Sequence, residues 1–104
     1  MLLDIKKGGD VVTLKMGSGE ELIGQFIEED ATSYTIDRPV CIGQSPKGGP
    51  ALVPYLMTVS PERARNLKIN KSLVVTTGST DKELADQYTS ALSGIQLAPA
   101  GMKL

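Results

Sequence analysis

The residues able to do chemistry are few, and their spacing says more than their number. Ser79-Thr80-Asp81-Lys82 has the Ser-x-x-Lys spacing that puts a nucleophile and a base on one helical turn. Nothing else of such an enzyme accompanies it, and the cap of a helix accounts for the same residues. Gly43 and Gly48 have the spacing of half a phosphate loop. Gly49-Pro50 stands where Lys and a hydroxyl should follow, and the loop leads into a strand, so no helix N-terminus is offered to a phosphate. Gly17-Ser18-Gly19 sits between two strands and reads as a hairpin turn. Glu20, Glu21, Glu28, Glu29 and Asp30 flank one strand; carboxylates so grouped can hold a hard cation or exchange protons, but at hairpin ends they serve solubility. Arg63, Arg65, Lys68 and Lys71 form the one basic cluster, offset by Glu62 and able to touch phosphates as separate charges. The chain has no histidine, hence neither the commonest general base nor the commonest metal ligand. The resulting expectation is a protein that is not an enzyme, with no cofactor and no metal.

The elements that must position these residues are mostly short strands. Val11 to Met16 alternates, with Val12, Leu14 and Met16 on one face. After the Gly-rich turn a second strand runs to about Ile27, with Leu22, Gly24 and Phe26 on one face and Gly24 marking a bend. Tyr34-Thr35-Ile36 opens a third strand, which Asp37-Arg38-Pro39 interrupts before Val40-Cys41-Ile42 resumes. Residues 43–50, with three Gly and two Pro in eight positions, form a loop. A fourth strand spans Ala51 to Val59, and Pro54 assigns it to an edge or a bulge; the alternative is a central core strand. Ser60-Pro61-Glu62 reads as a cap and first turn. Leu67 to Ile69, a tight Asn70-Lys71-Ser72 turn and Leu73 to Thr77 complete the β part. Thr80 to Glu83 reads as a capping box with Thr80 as N-cap. Leu84, Tyr88, Leu92 and Ile95 follow at helical spacing, with Gly94 as the stop and residues 97–104 as a tail.

Composition bounds the task further. At 104 residues and 11.0 kDa the chain suits one domain. A net charge of -1 excludes a diffuse polyanion binder, and one Phe with three Tyr limits stacking platforms. The single cysteine, Cys41, allows no intrachain disulfide and fits a reducing compartment. Met1-Leu2-Leu3 is broken by Asp4 and Lys6-Lys7, too short for a signal core. The apolar stretch from Ala51 to Val59 is far below the roughly 20 residues of a membrane helix. The expected location is the cytoplasm, with no membrane partner.

The order of strand, Gly-rich turn, bent strand with an internal Gly, third strand, loop, fourth strand, tight turn and fifth strand resembles the Sm-like fold. Residues 11–36, VVTLKMGSGEELIGQFIEEDATSYTI, resemble the first Sm motif, and residues 69–75, INKSLVV, the second. The Gly-Glu-Glu-Leu-Ile-Gly segment, the Ala-Leu-Val-Pro-Tyr-Leu strand and the C-terminal helix are similar to those of small Sm-like proteins of tailed bacteriophages, which implies a host cytoplasm. The resemblance implies a mainly β fold: a small, strongly bent five-stranded Sm-like (SH3-type) barrel over residues 1–78, a C-terminal amphipathic helix over 79–96 and a tail over 97–104. It also implies homo-oligomeric rings in which the fourth strand of one subunit pairs with the fifth of the next, through Leu52, Val53, Tyr55, Leu56, Val74 and Val75. Unpaired strand margins invite such pairing in any case. Single-stranded RNA is the implied ligand, held near Ser33, Tyr34, Asn70 and Lys71. Tyr34 stacks a base, Asn70 reads a base edge and Lys71 meets a phosphate; Ser33-Tyr34 stands where relatives carry Asn, and Asn70-Lys71 replaces Arg-Gly. The alternative is a structural or adaptor oligomer that uses the fold to self-associate without nucleic acid.

Overall fold

Alternation along the first strand decides how the rest of the chain packs. In the computed structural model, which describes residues 8–44, 48 and 50–93, β1 (Val11–Met16) buries Val12, Leu14 and Met16 and turns the other three side chains outward. A tight turn follows, closed by Gly19 N donating to Met16 O at 2.9 Å, with Gly19 at φ +108. That backbone conformation suits a residue without a Cβ. β2 (Glu21–Glu29) returns antiparallel, pairing Val12 with Gly24 and Leu14 with Leu22.

Gly24 is where the sheet bends. Its register with the next strand shifts between Ile23 and Gln25, so Leu22, Ile23 and Gly24 are buried in succession. A Cβ there would collide with Ile36 Cγ2 and lie 3.2 Å from Asp37 O and 3.3 Å from Pro39 Cα. β3 (Ser33–Gln44) runs unbroken for twelve residues, correcting the expected interruption at Asp37-Arg38-Pro39. Arg38 takes φ +46 and bends the strand without ending it. The length matters because β3 has different partners along it: Val40–Gln44 pairs β4 (Pro50–Pro54), and Ser33–Ile36 pairs β5 (Leu67–Asn70).

The fourth strand is shorter than the span from Ala51 to Val59. It ends at Pro54, and the chain leaves through a turn in which Val59 N donates to Leu56 O at 3.3 Å. It lies at the sheet margin and not in the core, since the order is β4-β3-β2-β1-β6 with β5 also on β3. After a 3-10 turn over Pro61–Arg63, β5 runs into a second such turn, Lys71–Leu73, and then into β6 (Val74–Ser79), which pairs β1. Asn70 caps that turn, its side chain accepting from Ser72 N at 2.9 Å.

The architecture is therefore mainly β: six antiparallel strands, one more than the five-stranded barrel that the resemblance implies, and one C-terminal helix. Along the path β6-β1-β2-β3-β5 the two outer strands are joined by a turn of only three residues, so the sheet is rolled. Among the described residues no ladder joins β5 to β6, so it is not the closed barrel expected. Its interior holds Val12, Leu14, Met16, Leu22, Phe26, Ile36 and Ile69, with Tyr34, Cys41, Tyr55 and Val74 packed against them.

The helix α1 (Lys82–Ser93) starts one residue later than the capping-box reading. Asp81 is the cap, its Oδ2 accepting from Glu83 N at 3.2 Å; Thr80 Oγ1 instead shares a hydrogen bond of 2.8 Å with Thr13 Oγ1. Tyr88 is buried, and Leu84 and Leu92 are half-buried. Ile95, the Gly94 stop, the tail over 97–104, Met1 to Lys7 and most of the Gly/Pro loop lie outside the described residues.

Candidate functional site

The start of β3 and the end of β5 bring the four sequence-predicted binding residues together. Ser33 pairs with Asn70 and Tyr34 with Ile69, and Lys71 N donates to Thr32 O at 2.8 Å. Lys71 Nζ stands 5.0 Å from the Tyr34 ring centroid, a cation–π contact. Beside them Asp30 closes the β2–β3 turn, accepting from Thr32 N at 2.9 Å, Ser33 N at 2.8 Å and both hydroxyl groups. Those backbone N–H groups, ahead of the Ser33 hydroxyl, hold the Asp30 carboxyl far below the usual carboxylate range. A shallow cleft of about 300 Å³ runs between Asp30, Thr32, Ser33, Lys68 and Asn70.

Electrostatically this face is balanced. Lys71 Nζ donates to Glu29 Oε2 at 2.8 Å, which raises the lysine above its ordinary value; Lys68 lies 3.6 Å from Asp30. Two cations against two carboxylates leave no excess for phosphate. An incoming anion must therefore displace a carboxylate, and a base must share the Tyr34 ring with Lys71.

Three of the four residues of the basic cluster seen in sequence, Arg65, Lys68 and Lys71, are thus paired with acids. Arg65 turns to a buried carboxylate, Asp37, which is 1 % exposed. Asp37 Oδ1 accepts from Arg65 Nε at 2.7 Å and from Asn66 N at 3.1 Å, and Oδ2 accepts from Arg38 Nε at 3.0 Å. Burial alone would raise this carboxyl; the hydrogen bonds from Arg65, Asn66 and Arg38 outweigh it and hold it below its ordinary value. Both non-glycine residues with positive φ, Arg38 at +46 and Asn66 at +52, belong to this cluster, and Arg38 N donates to Ala64 O at 2.8 Å. Sequence reasoning missed it. Asp37 and Arg65 are 28 residues apart without periodicity, and the Asp-Arg-Pro string reads as a break.

The same place anchors α1. Gln25 and Asp37 face each other across β2 and β3, but Gln25 N donates to the Tyr88 hydroxyl at 3.1 Å and that hydroxyl donates to Asp37 O at 2.6 Å. The phenol bridges a ladder position that the bulge has opened. Burial pushes the Tyr88 hydroxyl up to about 12.

The remaining candidates fall in ordinary places. Lys82 Nζ pairs with Asp86 at 2.9 Å, so its ammonium is engaged one turn along α1 and not with Ser79. Glu20 accepts from the Ser18 hydroxyl, and Glu21 lies 3.5 Å from Lys15. Among the described residues no three acidic, Cys or His side chains are grouped to hold a metal. Cys41 is a half-buried thiol raised by burial, then by Glu20.

The expected assembly residues divide between two margins. Tyr55 N donates to Pro39 O at 3.0 Å. Antiparallel alternation then turns Ala51 and Val53 toward β3 and leaves Pro50, Leu52 and Pro54 facing outward in the register of β4. Two of those three lack an N–H, so this margin offers a single donor, Leu52. Leu56, just beyond, is exposed at the rim with Met57. On the other margin Val74 packs against the core, while Leu73 and Val75 are 59 % and 69 % exposed.

Fold and site together define a mainly β protein with an antiparallel sheet and one C-terminal helix, presenting a charge-balanced polar cleft and an apolar strand margin. No protein-family model matches the chain, and no curated protein matches it. Among the described residues no helix is long and apolar enough to cross a membrane.

Proposed function

We propose that this is a non-enzymatic, Sm-like subunit that works as a homo-oligomer, a structural or adaptor module whose copies join along strand margins. The observation carrying this reading is the exposure of Leu73 and Val75 where the marginal strand β6 begins. Two large apolar side chains beside a strand margin invite a partner strand. The rolled sheet, with β5 and β6 joined by one short turn, is compatible with an Sm-like barrel. β6 is the donor side of the contact. Its acceptor is β5 in preference to β4: Lys71 N points at Thr32 O, so alternation turns Lys68 and Asn70 outward on β5, with no proline between them. Head-to-tail contacts of this kind close into rings when the rotation permits. Light scattering after size exclusion tests the reading. The expectation is a particle several times 11.0 kDa at micromolar concentration, reduced to one subunit by Val75→Lys. A monomeric parent protein sinks it.

The second reading adds single-stranded RNA, favoured by the pairing that sets Ser33 beside Asn70 and by the contact of Tyr34 with Lys71. Stacking on Tyr34 and hydrogen bonding to Asn70 supply recognition without net positive charge, so affinity is weak and shallow in its salt dependence. Fluorescence anisotropy with short U-rich and A-rich RNA at several salt concentrations measures it. Lys71→Ala should weaken binding and leave the oligomer unchanged; no RNA binding by the parent protein removes this reading alone.

A further inference from the structure

Between α1 and the β2–β3 bulge lies a cavity of about 310 Å³, lined among others by Val11, Gln25, Arg38, Tyr88, Thr89 and Leu92. None of the described residues that line it is a carboxylate. Arg38 brings it a charge that the Asp37 cluster does not use up: one carboxylate faces two guanidinium groups, Arg38 and Arg65, which leaves one positive charge over. Arg65 is more than half exposed and shares its surplus with water, whereas the Arg38 side chain is 24 % exposed. The C-terminal end of α1 near Leu92 contributes only about half a negative charge. The Arg38 backbone is also held at φ +46, a conformation that persists only where surrounding structure imposes it and that clusters at ligand sites.

We propose that this cavity binds a small carboxylate with an apolar body, contacted by the guanidinium of Arg38. Arg38 spends its Nε on Asp37 Oδ2, so the end of the fork remains, two N–H groups matched to two coplanar oxygens. Val11 and Leu92 give an apolar body something to lie against, while the Gln25 amide is engaged with the backbone, its Nε2 donating to Gly9 O at 3.2 Å. A phosphate is the poorer fit. Its additional oxygens would meet no second cation and no array of backbone N–H groups in this lining, and α1 presents its last turn here and not its first. The Tyr88 hydroxyl is committed to Gln25 N and Asp37 O and takes no part.

The test is a titration of the full chain with 4-methylpentanoate, followed in two-dimensional amide spectra, with neutral 4-methylpentanamide and inorganic phosphate as comparison arms. Saturable shifts at Gln25, Arg38 and Thr89 are expected with the carboxylate, and affinities about tenfold weaker or worse for the other two probes. Arg38→Met should weaken carboxylate binding by the same factor. Because that change also touches Asp37, Thr89→Leu is the companion variant: it fills the cavity from an exposed helix position and leaves the Asp37 hydrogen bonds intact, and it too should weaken binding about tenfold. Three results would overturn the proposal: no saturable shift up to about 50 mM carboxylate, phosphate binding as well as the carboxylate, or binding that survives Thr89→Leu.

Discussion

Two carboxylates on or beside β3 make opposite uses of the same chemistry. Asp37 is buried, held by two guanidinium groups and a backbone N–H from two parts of the chain, and tied to the only two strained non-glycine residues described. Asp30 is exposed and collects its donors from the next three residues of its own turn. The first knits β3, the loop before β5 and α1 into one body. The second shapes a turn and leaves its lysines exchangeable. Long-range satisfaction of a buried charge is costly to break because the remaining partners lose theirs; local satisfaction at the surface is cheap to rearrange. The exchangeable end is where a ligand or a neighbouring subunit can compete.

That contrast can be broken most directly at Asp37. Asp37→Ala leaves Arg38 and Arg65 without their carboxylate and should cost about 3 kcal/mol in chemical denaturation; a loss below about 1 kcal/mol would show the cluster to be surface-like after all. Tyr88→Phe removes the phenol oxygen that bridges Gln25 N and Asp37 O, leaving two polar backbone groups unpaired at a cost of about 2 kcal/mol. Faster amide exchange at Gln25 in that variant would locate the loss at the bulge.

Titration sharpens the comparison. Asp37 has a folded value below its ordinary 3.8, so its contribution is complete above that value and disappears as pH falls through the lowered one. Asp30 shifts the same way, so acid unfolding should begin below about pH 4, and Asp37→Asn and Asp30→Asn should each flatten that slope. Tyr88 acts at the other end. Its folded value of about 12 lies above the ordinary 10.0, so its contribution holds below pH 10 and fades as pH climbs from there toward 12; Tyr88→Phe removes that alkaline limb. The smallest effect belongs to Lys71→Met, which breaks the pair with Glu29 and should change stability by no more than about 1 kcal/mol. A larger loss would move this face from the exchangeable class to the structural one.

What was legible in the chain follows the same divide between local and distant causes. The alternation of Val12, Leu14 and Met16, the Gly17-Ser18-Gly19 turn and the bend at Gly24 are written within a few residues of one another, and each is found. The juxtaposition of Ser33 and Tyr34 with Asn70 and Lys71 came only through a resemblance, yet strand pairing does bring them together. Local signals also misled. Thr80 and Glu83 spell a capping box, but Thr80 is drawn to Thr13 and Asp81 caps instead. Asp37-Arg38-Pro39 reads as a break because Pro39 removes a donor and Arg38 must take an unusual φ; the compensation comes from Ala64 and Arg65, too far along the chain for any pattern to announce. The length of the fourth strand was overestimated because apolar residues continue to Met57 after pairing has stopped at Pro54.

The position of one phenolic oxygen between two strands has a consequence for how the chain can be shortened. A version ending after β6 would look on paper like the sheet with its ornament removed. It would instead be a sheet with a hole in its ladder beside the register shift at Gly24, where Gln25 and Asp37 would be left to find water. Residues 82–93 therefore belong to the minimal folding unit, and recombinant fragments meant to isolate the β portion should carry them through Tyr88 at least.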